Sequence, residues 1–172
     1  MDDVNVFQTE FIKNCCYRMD ESLRMVTIAL SKVSEEQVWE KPNASLSSIG
    51  NLMLHICGNM TQYGIASLNK TKDSRERELE FSTDGGYSKK ELMDKLQTTV
   101  TQVKSSFNAV SLERLLTTKQ VQGFDFSGIG NIVHVVEHFS YHTGQIAFWV
   151  KQLNNEQLGF YDGIDLTILN DE

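Results

Sequence analysis

Three of the chain's four histidines fall in one stretch, HVVEHFSYHTGQ (residues 134–145), at four-residue spacing. Two metal-binding patterns overlap there. HVVEH is a literal H-x-x-E-H, in which His134 and His138 would hold a zinc ion and Glu137 would act as general base. HFSYH is a bare H-x-x-x-H, offering His138 and His142. If the stretch is helical, His134 and His142 are eight residues apart, or about 12 Å along the axis. One ion bound at roughly 2 Å from each nitrogen cannot span that distance. Residues four apart have Cβ atoms about 5–6 Å apart, within reach of a shared ion. His138 therefore belongs to either pair, and a further ligand must come from another element. The first register lacks a distant glutamate ligand on a regular element, because only 30 residues follow His142 in a chain of 172. On a helical wheel Glu137 also turns away from the histidine strip. The second needs a third ligand, and His55 is the remaining histidine. Three histidines and room for water make an open coordination set, as in catalytic zinc sites. Hydrogen-bonded surface histidines are the alternative reading of the same spacing.

The elements that must position these residues read as helices. Apolar residues recur at three- and four-residue steps over residues 4–32 (Phe7, Phe11, Met19, Leu23, Val26, Leu30) and 47–69 (Ile49, Leu52, Met53, Ile56, Met60, Tyr63). They recur again over 88–110 (Leu92, Leu96, Val100, Val103, Phe107) and 129–154, the histidine helix. Ser34 with Gln37 and Ser88 with Glu91 have capping-box spacing, and Ser47 or Ser48 caps the second long helix. The expectation is all-α: a single four-helix bundle of residues 1–172. The connectors between helices 2 and 3 and between 3 and 4 exceed a dozen residues, which leaves room for a crossover. RERELEF, within the first, reads as a solvated charged loop, and SLERLLTTKQVQGFDFSGIG, in the second, as one helical turn and an extended, glycine-rich approach. The tail after residue 154 reads as irregular.

Composition narrows the function classes. A net charge of −7 and a pI near 5.1 argue against a phosphate-binding surface, so nucleic acid is set aside. The acidic start MDDVNVFQTE lacks the order of a signal peptide, and no apolar run approaches the roughly 20 residues that span a bilayer. Cys15, Cys16 and Cys57 form no disulfide framework and read as reduced packing residues of a cytoplasmic protein.

HFSYHTGQIAF resembles the H-x-x-x-H-x-G-Q-I/V signature in the last helix of the DinB/YfiT-like superfamily of four-helix bundles, and NLMLHICGNM resembles that superfamily's helix-2 segment. The Gly58-Asn59 pair after His55 and the charged R-x-R-D/E-x-E-F (Arg75, Arg77, Glu78, Glu80, Phe81) are similar to one branch, the DUF1572 family. The resemblance runs from helix 1 to the end of helix 4. It implies His55, His138 and His142 as ligands of nickel or zinc, an up-down-down-up topology and a homodimer. It also implies one of two activities: a thiol-dependent S-transferase or isomerase using bacillithiol, mycothiol or glutathione, or a metal-dependent hydrolase. This chain departs from the pattern at Tyr141, where many members have a histidine or other polar residue, and at Thr143, where many carry arginine. If that arginine holds an anionic substrate, its loss weakens the S-transferase reading.

Around the ligands, Tyr141 and Gln145 share the histidine strip and could orient a bound water or a ligand. Asn59 and His134 are candidates for supporting the ligands, and Gly58 for close helix packing. Arg75 or Arg77 could reach over the bundle end to bind a carboxylate, with Arg77 taken as the candidate. Trp39 reads as packing, and Trp149 as packing or pocket wall. Ser47 and Ser48 are explained as caps. The reading is a metal-dependent enzyme acting on a small molecule with a water or low-molecular-weight thiol as nucleophile. Its alternative is a non-catalytic, stress-related metal- or ligand-binding bundle.

Overall fold

The computed structural model describes residues 3–169; the ends of the expected 1–172 domain lie outside the described residues. Helix α1 is Asp3–Ser31, followed by a short α2, Glu35–Trp39, and by α3, Ile49–Asn59. A π-helical segment, Met60–Ala66, and one closing turn, α4 (Ser67–Asn69), continue α3 without a break. Then come α5 (Arg77–Ser82), α6 (Lys89–Ala109) and α7 (Leu112–Leu116). Strands β1 (Thr118–Val121) and β2 (Phe124–Ser127) precede α8, Gly128–Asn154. The architecture is a helical bundle with one small hairpin. Among the described residues no helix is long and apolar enough to cross a membrane.

The starts of the helices follow from local chemistry. Ser34, Ser48 and Ser88 each accept from the backbone N–H three residues on, while Gln37, Asn51 and Glu91 return the bond. Such reciprocal caps satisfy orphan donors at about 0.5–2 kcal/mol each. Ser127 caps α8 in the simpler way, accepting from Gly130 N.

The core runs along the apolar stripes. Met19, Val26, Met53, Phe107, Ile132 and Phe139 are among its fully buried side chains. On α1 the buried stripe is Ile12, Cys15, Met19, Val26 and Leu30, and Phe7 is left 66% exposed. The reason is geometric: Gln8 donates to the carbonyl of Val110, the C-cap of α6, so Phe7 lies at the end of the bundle, where it stacks on Phe11. Pairs further along tie the same two helices, Asn108 to Cys16 and Lys104 to Asp20.

Helix α3 is buried on nearly all sides; of its residues only Gly58 is part-exposed. A helix apolar all round must be enclosed, and here α6, α8 and α5 enclose it. Asn51 sets the position of α5: its Nδ2 donates to the carbonyls of Glu80 (3.0 Å) and Thr83 (2.7 Å), closing the C-terminal turn of that helix.

The segment between α7 and α8, expected as an extended approach, pairs with itself. Val121 opposes Phe124 across a two-residue turn in which Gln122 (φ 52°) and Gly123 (φ 84°) are both left-handed. Two positive φ values define the hairpin turn whose twist matches the strands. Gln122 is held there by the Tyr63 hydroxyl, which donates to its Oε1 at 3.0 Å.

Candidate metal centre

Residues four apart on α8 and one residue of α3 converge. One ring nitrogen from each of His55, His138 and His142 lies within 4.8 Å of those of the other two, a spacing that could hold a metal ion. His55 Nε2 is 3.0 Å from His138 Nε2, and His142 Nε2 is 3.2 Å from the same atom.

The other nitrogen of two of these rings fixes their protons. His55 Nδ1 lies 2.8 Å from Glu80 Oε2. Burial alone would raise the Glu80 carboxyl, but hydrogen bonds from Arg75 and His55 outweigh it and hold it below the usual range. It is therefore ionised and only accepts, so His55 Nδ1 carries the hydrogen. The guanidinium of Arg75, 3.1 Å from the same Nδ1, donates instead to the carboxylate, at 2.7 Å (Nε to Oε1) and 2.8 Å (Nη2 to Oε2). His142 Nδ1 faces Gln145 Oε1 at 2.6 Å, and Gln145 Nε2 donates to the Tyr141 hydroxyl at 3.2 Å. Both rings thus present Nε2 lone pairs to His138.

A single hydrogen on His138 Nε2 can satisfy one of them and not the other. Moving that hydrogen to His138 Nδ1 places it on a buried atom with no partner among the described residues. A cation shared by the three Nε2 atoms removes the conflict, and the donor set fits one, since ligating histidines characteristically donate their second N–H to a carboxylate or carbonyl oxygen. The electrostatics agree. Burial, then the neighbouring imidazoles and Arg75, push His138 down to about 2. Burial also lowers His142, with the Gln145 bond opposing it. Neutral imidazole is the form that coordinates metal.

Glycine 58 makes the Glu80 position possible. A Cβ there would lie 1.9 Å from Glu80 Oε1 and 3.0 Å from Arg75 Nε. The Arg75 and Glu80 side chains are only 3% and 9% exposed. Arg75 is held in turn by Gln62 Oε1 (2.9 Å) from the π-helical segment and by Asp73, which accepts from its backbone N–H. A π-turn places side chains where α-helical spacing would not, and such turns gather at functional sites.

The remaining sequence candidates divide. His134 sits one turn before His138, outside the cluster. Its Nε2 accepts from Asn59 Nδ2 at 3.0 Å, and its ring packs on Tyr63 and Phe126. Asn59 thus supports His134 rather than a ligand. Glu137 is exposed and lines a cleft between α1 and α8 with Arg18 and Glu21, so the H-x-x-E-H register is not assembled. Tyr141 and Gln145 form the chain that orients His142. Arg77 does not reach the histidines; its guanidinium lies 4.9 Å from the centroid of the Phe81 ring, which itself packs on His55. Arg75 is the arginine that grips a carboxylate, and the carboxylate is the protein's own Glu80. The thiols stand apart: burial pushes Cys15 and Cys57 up to about 11.

The family described as "Protein of unknown function (DUF1572)" matches residues 6–162. The chain belongs to this family. No curated protein sequence matches it. Among solved structures, a conserved protein of Enterococcus faecalis is similar over 84% of this chain and 97% of its own, at 15% identity and a TM-score of 0.67. A DinB-like protein of Bacillus subtilis covers 81% and 91% (14% identity, TM-score 0.62), and one of Bacillus cereus 83% and 90% (16%, 0.63). At such identities the likeness concerns the fold: this DUF1572 chain has the DinB-like bundle.

Glu80 is the residue that sequence reasoning passed over. It stood in view in RERELEF, yet its tie to His55 depends on Asn51 capping α5, a contact between residues 29 apart.

Proposed function

We propose that His55, His138 and His142 hold one divalent cation, nickel or zinc, and that the protein uses it to activate a water or a low-molecular-weight thiol against a small-molecule substrate. The carrying observation is the pair of Nδ1-protonated imidazoles, His55 on Glu80 and His142 on Gln145, aimed at His138 Nε2. When bound, such a cation supplies Lewis acidity, which brings the pKa of an attached water or thiol toward neutrality. The chain's residues do the rest. Glu80 keeps the proton on His55 Nδ1 and enriches its basicity, Arg75 keeps Glu80 ionised and immobile, and the Tyr141–Gln145 pair keeps His142 from rotating.

One observation favours the non-catalytic alternative, a metal- or ligand-binding bundle: Glu80, the carboxylate nearest the histidines, is committed to Arg75 and His55 rather than free to shuttle protons. The same proposal takes the chain as one domain with up-down-down-up topology. The opposed pairing of α1 with α6 (Gln8–Val110, Lys104–Asp20) and of α3 with α8 (His55–His138, Asn59–His134) supports it. Cytoplasmic location, a homodimer and no membrane partner complete it, with no nucleic-acid partner either, which the net charge of −7 supports.

The test is elemental analysis of the purified protein, followed by assays of the metal-loaded form. One set pairs a low-molecular-weight thiol with a reactive electrophile; the other uses ester and amide panels. Turnover that disappears in His138→Ala supports the enzyme. Stoichiometric metal with flat rates in every assay favours the binding module, and absence of metal sinks both.

A further inference from the structure

A cavity of ≈ 620 Å³ opens beside His142, within the 300–1,000 Å³ range of small-molecule sites. Leu46, Leu52, Phe81, Phe148 and Trp149 supply its apolar walls, and Tyr141 and Gln145, the pair that orients His142, supply polar groups. Among the described residues no lysine, arginine, aspartate or glutamate lines it. The cleft between α1 and α8 carries Arg18, Glu21 and Glu137, and the cavity behind Glu80 carries Arg75, Glu76 and Lys95.

We infer that this cavity binds an uncharged small molecule with a flat aromatic body. That the molecule is a substrate rests on the metal reading above; that it binds does not. A charged ligand would leave water for walls that offer no counter-ion, which is strongly unfavourable. An aromatic body matches Phe81, Phe148 and Trp149.

The experiment is calorimetric titration of metal-free protein with naphthalene-2-carboxamide and, separately, with the isosteric naphthalene-2-carboxylate. Working without metal removes ligation by the carboxylate. The amide is expected to bind, and the anion to bind at least tenfold more weakly, roughly 1.4 kcal/mol or more. Phe148→Asp and Leu46→Asp should each weaken the amide roughly tenfold. These positions are 70% and 51% exposed, so the variants are expected to fold. Phe7→Asp, at the 66% exposed end of α1, should leave binding unchanged. Absence of amide binding, a carboxylate that binds as tightly, or full affinity in both cavity variants overturns the inference. Metal content of the same preparations is read separately: an amide that binds protein unable to take up metal upholds the cavity and sinks the metal reading.

Discussion

Replacing Gly58 by alanine tests how far the site depends on the packing behind His55. The added Cβ would stand 1.9 Å from Glu80 Oε1 and 2.8 Å from its Cδ, so Glu80 must leave. Its departure strands Arg75, whose side chain is 3% exposed. Breaking a buried ion pair from one side costs about 3–5 kcal/mol. Against this, alanine is about 1 kcal/mol better than glycine inside a helix. The net expectation is a loss of ~2–4 kcal/mol in stability. Without Glu80, His55 loses the group that fixes its proton, and metal affinity should fall about 10–100-fold. Urea unfolding of the metal-free protein reads the first quantity, and competition with a zinc chelator reads the second. Gly144→Ala is the internal control, because a Cβ there meets nothing within 4 Å among the described residues; it should be neutral or stabilise by up to about 1 kcal/mol. If Gly58→Ala behaves like Gly144→Ala in both assays, the Arg75–Glu80–His55 chain does not support the site.

Further outcomes follow from the same geometry. Glu80→Gln should lower zinc affinity by about 10–100-fold with little change in helix content, read by chelator competition and circular dichroism. His142→Ala should abolish metal binding, whereas His134→Ala, which removes only the ring held by Asn59, should weaken it; the reverse pattern would restore the H-x-x-E-H register. The metal-free protein should lose stability below pH 6.5, because His138 and His142 are held below their ordinary value and the unfolded chain there binds more protons than the native one. The loss continues as pH falls toward the folded value of about 2 for His138. Discounted for partial exposure, its slope is below ~1 kcal/mol per pH unit for each histidine. A urea midpoint at pH 5 equal to that at pH 7 contradicts this.

What could be read from the sequence were features encoded within a few residues. The serine caps at 34, 48 and 88 are local, and the structure bonds each as its spacing implies. Three histidines at helical spacing and a fourth, His55, on another helix left few ways to assemble a cluster, and helix rise excluded the set containing both His134 and His142. Features that depend on distant partners stayed hidden. RERELEF looks like a solvated charge run; it is drawn into a helix whose carbonyls Asn51 closes and whose glutamate fills the space left by Gly58. The hairpin turn has no Asn-Gly or Asp-Gly signature, and Gln122 adopts its left-handed backbone where Tyr63 bonds to it. The π-helical segment leaves no periodic trace, since its apolar residues also satisfy an α-helical wheel. Phe7 lay on the apolar stripe of α1 but beyond the end of α6, a matter of helix length rather than pattern.

The proposed function stands or falls with one cation shared by His55, His138 and His142. The most direct measurement is the metal content of the purified protein and of His138→Ala, taken side by side by elemental mass spectrometry after exposure to nickel or zinc and gel filtration. One divalent ion per wild-type chain and none in the variant is the expected result. A wild-type chain without bound metal, or a His138→Ala protein that keeps a full equivalent, would rule out the shared cation.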